Sequence, residues 1–320
     1  MPHQVRVLVI TMFDTDPAEA HGEAFRWRTR DGLDTAVAVP GLSADAPAVH
    51  GRSDGLWLLT TGMGEANAAA SVMALAFSGL FDLSRAYVLV AGIAGIHPGV
   101  GTVGSVVCTD FAVHGGYAHE LDAREIPEGW PHGFVALGAA APHKPAELRV
   151  PGEVFELDER LRQAVAALGA RVRLADDPGV AALRARYPGA GGQPPEVLTG
   201  SSLTQSVFWS GELLGRRAEQ WVRDYTGGLG RYAVTQMEDN ATLVALDRAA
   251  QAGFLDFSRV AVLRAAANFD RAAPGEPSES AFSEAVGWGL AAENVWRVGS
   301  SVAGHILGDW PAWADGVPSR

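Results

Sequence analysis

Leu56-Trp-Leu-Leu-Thr-Thr-Gly-Met-Gly-Glu-Ala-Asn-Ala-Ala-Ala-Ser71 is the stretch on which the fold turns. Residues 56–60 form a short apolar run, the pattern of a buried strand. Gly62 and Gly64 then mark a turn. A helix opens around Glu65 and runs on small residues to about Ser78. Strand, glycine turn and small-residue helix suit a helix lying close on a sheet. Working outward, residues 5–11 read as an earlier β-rich strand, and residues 85–90 and 103–109 as later ones. Such alternation of strands and helices indicates parallel or mixed pairing in an α/β layer fold.

Beyond residue 113 the pattern loosens. Residues 114–200 are rich in Pro and Gly and hold one clear helical segment, 158–168. They read as a long insertion or as extended loops over the sheet. Order returns with strands at 196–199, 232–235 and 259–265 and helices at 211–223 and 239–252. Residues 278–308 read as a C-terminal helix interrupted near Gly299.

Composition narrows the function. The chain has 320 residues, 48% hydrophobic and 19% charged, with a net charge of -12. That is enough apolar material for a sizeable core. Phosphate backbones and anionic bilayers need clustered Lys and Arg, so nucleic acid and membrane surfaces are not the expected partners. The longest apolar stretch, 86–113, is broken by His97, Pro98 and several glycines, so no membrane insertion is expected. The apolar run at the N-terminus is short and leads into Asp14 and Asp16, which fits a first strand rather than a secretory signal. A cytoplasmic location follows as the expectation. The single cysteine, Cys108, lies in an apolar strand and reads as a small core residue. The nine histidines show no ligand spacing, and His97, His114 and His119 read as ordinary loop or core residues. No metal or cofactor is expected.

In open α/β sheets, ligands sit beyond the carboxyl ends of the strands. Chemistry is therefore sought at 11–16, 61–67, 91–97, 203–210, 236–240 and 266–271. Gly62 and Asn67 belong to the second of these loops. Gly92-Ile93-Ala94-Gly95 reads as a turn where backbone can approach a ligand, though no Gly-Lys-Ser/Thr follows to make it a P-loop. In Met237-Glu238-Asp239-Asn240 a carboxylate can accept bonds from two adjacent hydroxyls, as in a ribose diol. The ordinary alternative is a helix N-cap made by Asp and Asn. Asn268 offers a donor and an acceptor to a heterocycle edge, or is simply a turn residue. Phe208 and Trp209 can stack on a base, or be buried as core.

Taken in order and spacing, several segments resemble the purine nucleoside permease (NUP) family, itself similar to nucleoside phosphorylases and methylthioadenosine/adenosylhomocysteine nucleosidases. They are Met12-Phe13, Pro40-Gly-Leu-Ser43, residues 60–71, Ala91-Gly-Ile-Ala-Gly-Ile-His-Pro98, Asp122-Ala-Arg-Glu-Ile-Pro127, Thr235-Gln-Met-Glu-Asp-Asn-Ala-Thr242 and Leu263-Arg-Ala-Ala-Ala-Asn-Phe-Asp-Arg271. Gly308-Asp-Trp310 and Gly316-Val-Pro318 complete the set, which spans nearly the whole chain.

The resemblance implies a three-layer α/β/α sandwich with a mixed, partly parallel central sheet, as one domain over residues 1–320. It implies cleavage or exchange of the N-glycosidic bond of a purine nucleoside, and a homo-oligomer. It assigns Glu238 to the ribose hydroxyls and Met237 to the sugar. Phe208, with Trp209 beside it, falls to the base face. Arg264 matches the family's Arg, and Asn268 stands where nucleosidases carry the Asp that protonates the leaving purine. The positions that hold a phosphate-binding Arg and Ser in phosphorylases look like Val90 and Ile93. Neither is a charge-assisted donor, so hydrolysis or ribosyl transfer is expected over phosphorolysis. Ser206, Ser210 and Ala267 also stand where the family has other polar groups. For the remaining roles, Asp16 or Asp14 is expected to position a water, and Asp270 to serve the leaving group or to pair with Arg271 or Arg264. A non-catalytic nucleoside-binding protein involved in uptake, or an enzyme for a modified nucleoside, is the competing expectation.

Overall fold

The computed structural model describes residues 1–14, 22–144, 146–283 and 285–318. Asp16 lies outside them. Ten strands build the main sheet. They are β1 (Val7–Thr11), β2 (Thr35–Ala38), β3 (Ala48–Gly51), β4 (Leu56–Thr60), β5 (Tyr87–Ile96), β6 (Val106–His114), β7 (Val154–Glu156), β8 (Val197–Thr204), β9 (Tyr232–Gln236) and β10 (Val260–Phe269). Their order is β7-β6-β8-β9-β5-β1-β4-β3-β2, with β10 bridging β5 and β6. β1 is parallel to β4 and β5, and β10 to β5. β9 runs antiparallel to β5, and β10 to β6. The sheet is therefore mixed, and pairing around β5, β10, β6, β8 and β9 closes on itself.

Period-2 alternation sends side chains to two different cores. Along β1, Leu8 and Ile10 join one cluster, which includes Val72 and Leu75 of helix α2 (Glu65–Phe77) and Leu243 and Leu246 of α6 (Asp239–Gln251). Val7 and Val9 join the other, with α1 (Glu23–Arg30), α3 (Glu159–Gly169) and α7 (Trp288–Gly308). Helices on both faces of one sheet make the three-layer α/β/α sandwich. The short α4 (Pro178–Arg184) and the amphipathic α5 (Glu212–Tyr225) complete the helices that bear on the argument below.

Several boundaries differ from the sequence expectation, each for a packing reason. Gly92–Gly95 is not a turn after a strand; it is the end of β5 itself. A Cβ on Gly92 would lie 2.8 Å from Glu23 Oε1 and 2.9 Å from Met12 Sδ, and closer still to Arg264 Nη1. The missing side chain makes room for buried charges. Gly92→Ala is accordingly expected to cost about 1–3 kcal/mol of stability through overpacking, read as a lower urea midpoint. Asn268 likewise lies within β10, after a register shift between Ala266 and Asn268. Such a bulge re-aims a side chain next to a site.

Residues 114–200 are more than loops over the sheet. β7 pairs with β6, and Leu161 and Val165 of α3 enter the core of the second cluster. The C-terminal helix is not interrupted at Gly299. A Cβ there would meet Trp27 Cζ2 at 2.8 Å, so the glycine admits the indole rather than ending the helix. Cys108 is buried, and burial pushes its thiol up to about 12.

Candidate active site

The ends of β1, β5, β9 and β10, the start of α1 and the loop before α5 converge on one cavity of about 550 Å³. Phe13, Met63, Phe208 and Trp288 supply large apolar walls, and Met237, Ile93, Ala94 and Ala267 also line it. Glu23, Thr235, Gln236, Glu238, Arg264 and Asn268 are the polar groups there. An apolar cleft with a few convergent polar groups is the usual form of a small-molecule site.

Glu238 is the N-cap residue of α6, but its side chain does not cap the helix. Gln236 does: its Oε1 accepts from the backbone N–H of Glu238 at 2.7 Å and of Asp239 at 2.8 Å. The Asp/Asn capping alternative therefore does not hold. Asp239 is buried against Arg264, and Asn240 donates to the carbonyls of Gly152 and Glu153. Glu238 is thereby released toward the cavity. Its Oε1 accepts from Gly64 N–H at 3.0 Å and its Oε2 from Arg264 Nη2 at 3.3 Å.

Arg264 is 1% exposed and its donors are well used. Nε and Nη2 reach Asp239 Oδ1 at 2.9 and 2.7 Å, and Nη1 reaches the Ile93 carbonyl at 3.1 Å. Its contact with Glu238 helps to hold that carboxylate at the cavity wall. Three carboxylates surround this one guanidinium, since Glu23, Glu238 and Asp239 are 1%, 5% and 0% exposed. Ionising all three in a dry site is costly, so one should hold a proton. Burial raises the Glu23 carboxyl from 4.5 to about 7, against the opposing pull of Arg264 and of two backbone N–H groups. Those groups are Met12 N–H, donating to Oε2 at 2.6 Å, and Ile93 N–H, donating to Oε1 at 2.7 Å.

Glu23 was not among the residues expected from sequence. It looks there like an ordinary acid in the first turn of a helix. Asp14, weighed for the water, instead forms an ion pair with Arg28. Asp270 does not line the cavity either. It is 1% exposed, bonded to Arg271 at 2.8 Å, and accepts from the Tyr232 hydroxyl at 2.9 Å. It is a partner of Arg271, not of Arg264. Trp209 is 7% exposed and packs in a core cluster with Tyr232, whereas its neighbour Phe208 is 68% exposed and lines the cavity. Gly62 and Asn67 stay outside the lining. Asn67 donates to the Met63 carbonyl, and Gly62 has φ +88°, so both shape the loop that presents Met63. Gly92 sits behind the wall, beside Arg264, as described above.

Asn268 donates through Nδ2 to the Phe269 carbonyl at 2.8 Å. That bond orients the amide and leaves Oδ1 and one N–H for a ligand. The Phe208 loop is anchored by Ser206, whose hydroxyl donates to Glu65 Oε1 at 2.7 Å. Glu65 also accepts from the buried His114 at 3.0 Å. The Val90 side chain is fully buried. Among the described residues no group of three or more His, Cys, Asp or Glu is placed to hold a metal ion. No helix there is long and apolar enough to cross a membrane.

Comparison with solved structures finds the same fold in nucleosidases. Futalosine hydrolase of Helicobacter pylori aligns with a TM-score of 0.55 and 14% identity, over 95% of this chain and 98% of that one. A 5′-methylthioadenosine/S-adenosylhomocysteine nucleosidase from Colwellia psychrerythraea, in complex with adenine, aligns at 0.53 and 17%, over 96% of each chain. In sequence, a probable purine nucleoside permease of Schizosaccharomyces pombe is 30% identical, over 96% of this chain and 90% of its own length. The purine nucleoside permease of Candida albicans is 30% identical over 96% of this chain and 76% of its own. The family model Purine nucleoside permease (NUP) matches residues 4–318. With the match running nearly from end to end, the chain belongs to the purine nucleoside permease family.

Proposed function

We propose that this chain cleaves the N-glycosidic bond of a purine nucleoside, with water or a second base as acceptor. The observation that carries the reading is Glu23: a buried carboxyl, raised to about 7, in the same cavity as Glu238 and Asn268. A general base works best when poised near the operating pH. Ionised Glu23 takes a proton from water, and the water oxygen bonds to C1′ as the C1′–N9 bond breaks. The bonding electron pair leaves with the base. Glu238 accepts from the ribose 2′- and 3′-hydroxyls, and Met237 packs against the sugar. The carboxylates around Arg264 favour the positive charge that develops on the ribose.

Phe208 stacks on the purine. Asn268 Oδ1 accepts from N7–H of the leaving base, and its remaining N–H suits a 6-oxo group. An amide cannot itself supply the proton, so solvent protonates N7. Phosphorolysis is disfavoured because the cavity offers Ile93 where an anion would want a charged donor.

The test is direct. Purified protein is incubated with inosine, guanosine, adenosine and uridine, with and without phosphate, and free base and sugar are followed by chromatography. Free base and ribose without phosphate are expected from the purines. Ribose 1-phosphate formed only with phosphate would overturn the choice of acceptor. Saturable nucleoside binding without product would favour a binding role in uptake, the reading that the relatives' names suggest. Glu238→Ala is expected to keep the fold and lower kcat/KM by about 10²–10³, the scale of a lost transition-state contact. Near-wild-type turnover in that variant would remove Glu238 from the site.

A further inference from the structure

A second cavity lies between α5 and the hairpin of Ala118–Glu120 with Phe134–Ala136. It shares no lining residue with the cavity of Glu23 and Glu238. In a chain of net charge -12, its permanent charges are Lys144, Arg149 and Arg217 against the carboxylate of Asp224, with Arg149 already ion-paired to Glu153 at 2.8 Å.

Arg217 is the informative member. It is 8% exposed, yet among the described residues no carboxylate lies within ion-pair distance of it. Its one hydrogen bond there runs from Nη2 to the Gln205 Oε1 at 3.2 Å. The guanidinium lies over the Phe134 ring at 4.2 Å, and Glu120 and Tyr232 act on it only through space. A guanidinium has five N–H donors, and a buried charge without a counter-charge is costly. His132 points the same way. Its Nδ1 accepts from the Phe134 N–H at 3.3 Å, so Nε2 carries the hydrogen of the neutral ring. That Nε2 is buried and has no partner.

We propose that this cavity is a binding site for a small oxyanion of the phosphate class. The oxyanion takes the free N–H groups of Arg217 and the Nε2–H of His132, with Lys144 at the exposed rim. The cavity encloses about 530 Å³, close to that of the Glu23 cavity, so its donor chemistry and not its size selects the ligand. Because Gln205 opens the loop that carries Phe208, an occupied site also bears on the wall of the nucleoside cavity. Phosphate held here, in a cavity that shares no lining residue with that of Glu23, is not a reactant.

The test is calorimetric titration of the whole protein with inorganic phosphate, ribose 5-phosphate and ribose, in a low-salt buffer free of other oxyanions. One saturable site for phosphate, for ribose 5-phosphate or for both is expected, and none for ribose. Binding to ribose 5-phosphate alone would assign the source as a phosphate ester and still support the site. Arg217→Gln should weaken binding at least tenfold. Lys144→Glu, at an exposed side chain, should do the same and carries the test if Arg217→Gln fails to fold. Glu238→Ala should leave the affinity unchanged. No saturable binding of either phosphate, equal affinity in both charge variants, or loss of binding in Glu238→Ala would overturn the proposal. None of these outcomes depends on nucleoside cleavage.

Discussion

Glu23→Gln is expected to lower kcat for base release by about 10²–10⁴, the usual share of a positioned general base. The pH profile separates this from a packing defect. In the wild type, kcat should rise with pH through about 7 as Glu23 ionises, and the variant should lose that limb. A variant that keeps the wild-type rate and profile would exclude Glu23 as the base. Stability should move in the opposite sense to activity. The folded-state carboxyl is raised from 4.5 to about 7, so the folded form holds a proton that the unfolded chain has already released. The contribution is fully present below 4.5, falls as pH rises, and is lost above about 7. Its size is about 3 kcal/mol. Urea unfolding at pH 5 and pH 8 should show the wild type losing stability relative to Glu23→Gln across that window. A constant difference would show that burial does not hold the proton on Glu23.

Arg264→Met carries the largest expected effect on stability. The change leaves Glu238, Asp239 and Glu23 buried without their cation. Removing one partner of a buried ion pair costs about 3–5 kcal/mol. That is a large part of the roughly 5–15 kcal/mol that holds a domain folded. The readout is the urea midpoint, with the double variant Arg264→Met/Asp239→Asn as control. Removing charge on both sides should recover part of the loss. A single variant as stable as the wild type would mean that water, not Arg264, balances these carboxylates.

Much of the frame was legible because it is local. The apolar run 56–60, the glycines after it and the small-residue helix that follows each declare themselves within a few residues. Met237–Glu238 between a strand and a helix, and Phe208 in the loop before α5, are positions of the same kind. What the sequence left open were the choices that depend on which residues lie opposite. Asp270 and Asn268 are two residues apart, yet Asn268 lines the cavity while Asp270 is taken up by Arg271 and Tyr232. Trp209 and Phe208 are adjacent, and one is core while the other is exposed.

Sequence by itself determined the layered α/β architecture, the family, and the glutamate and asparagine that line the cavity, since periodicity and motif spacing are carried by neighbouring residues. Only the tertiary structure decided the chemistry of Glu23 and the open valence of Arg217. A carboxyl's proton affinity depends on how much water its neighbours remove, and those neighbours, Gly92, Met12 and Arg264, come from three different strands or strand ends. Whether a guanidinium is satisfied likewise depends on acceptors contributed from far along the chain, and no spacing in a sequence records their absence.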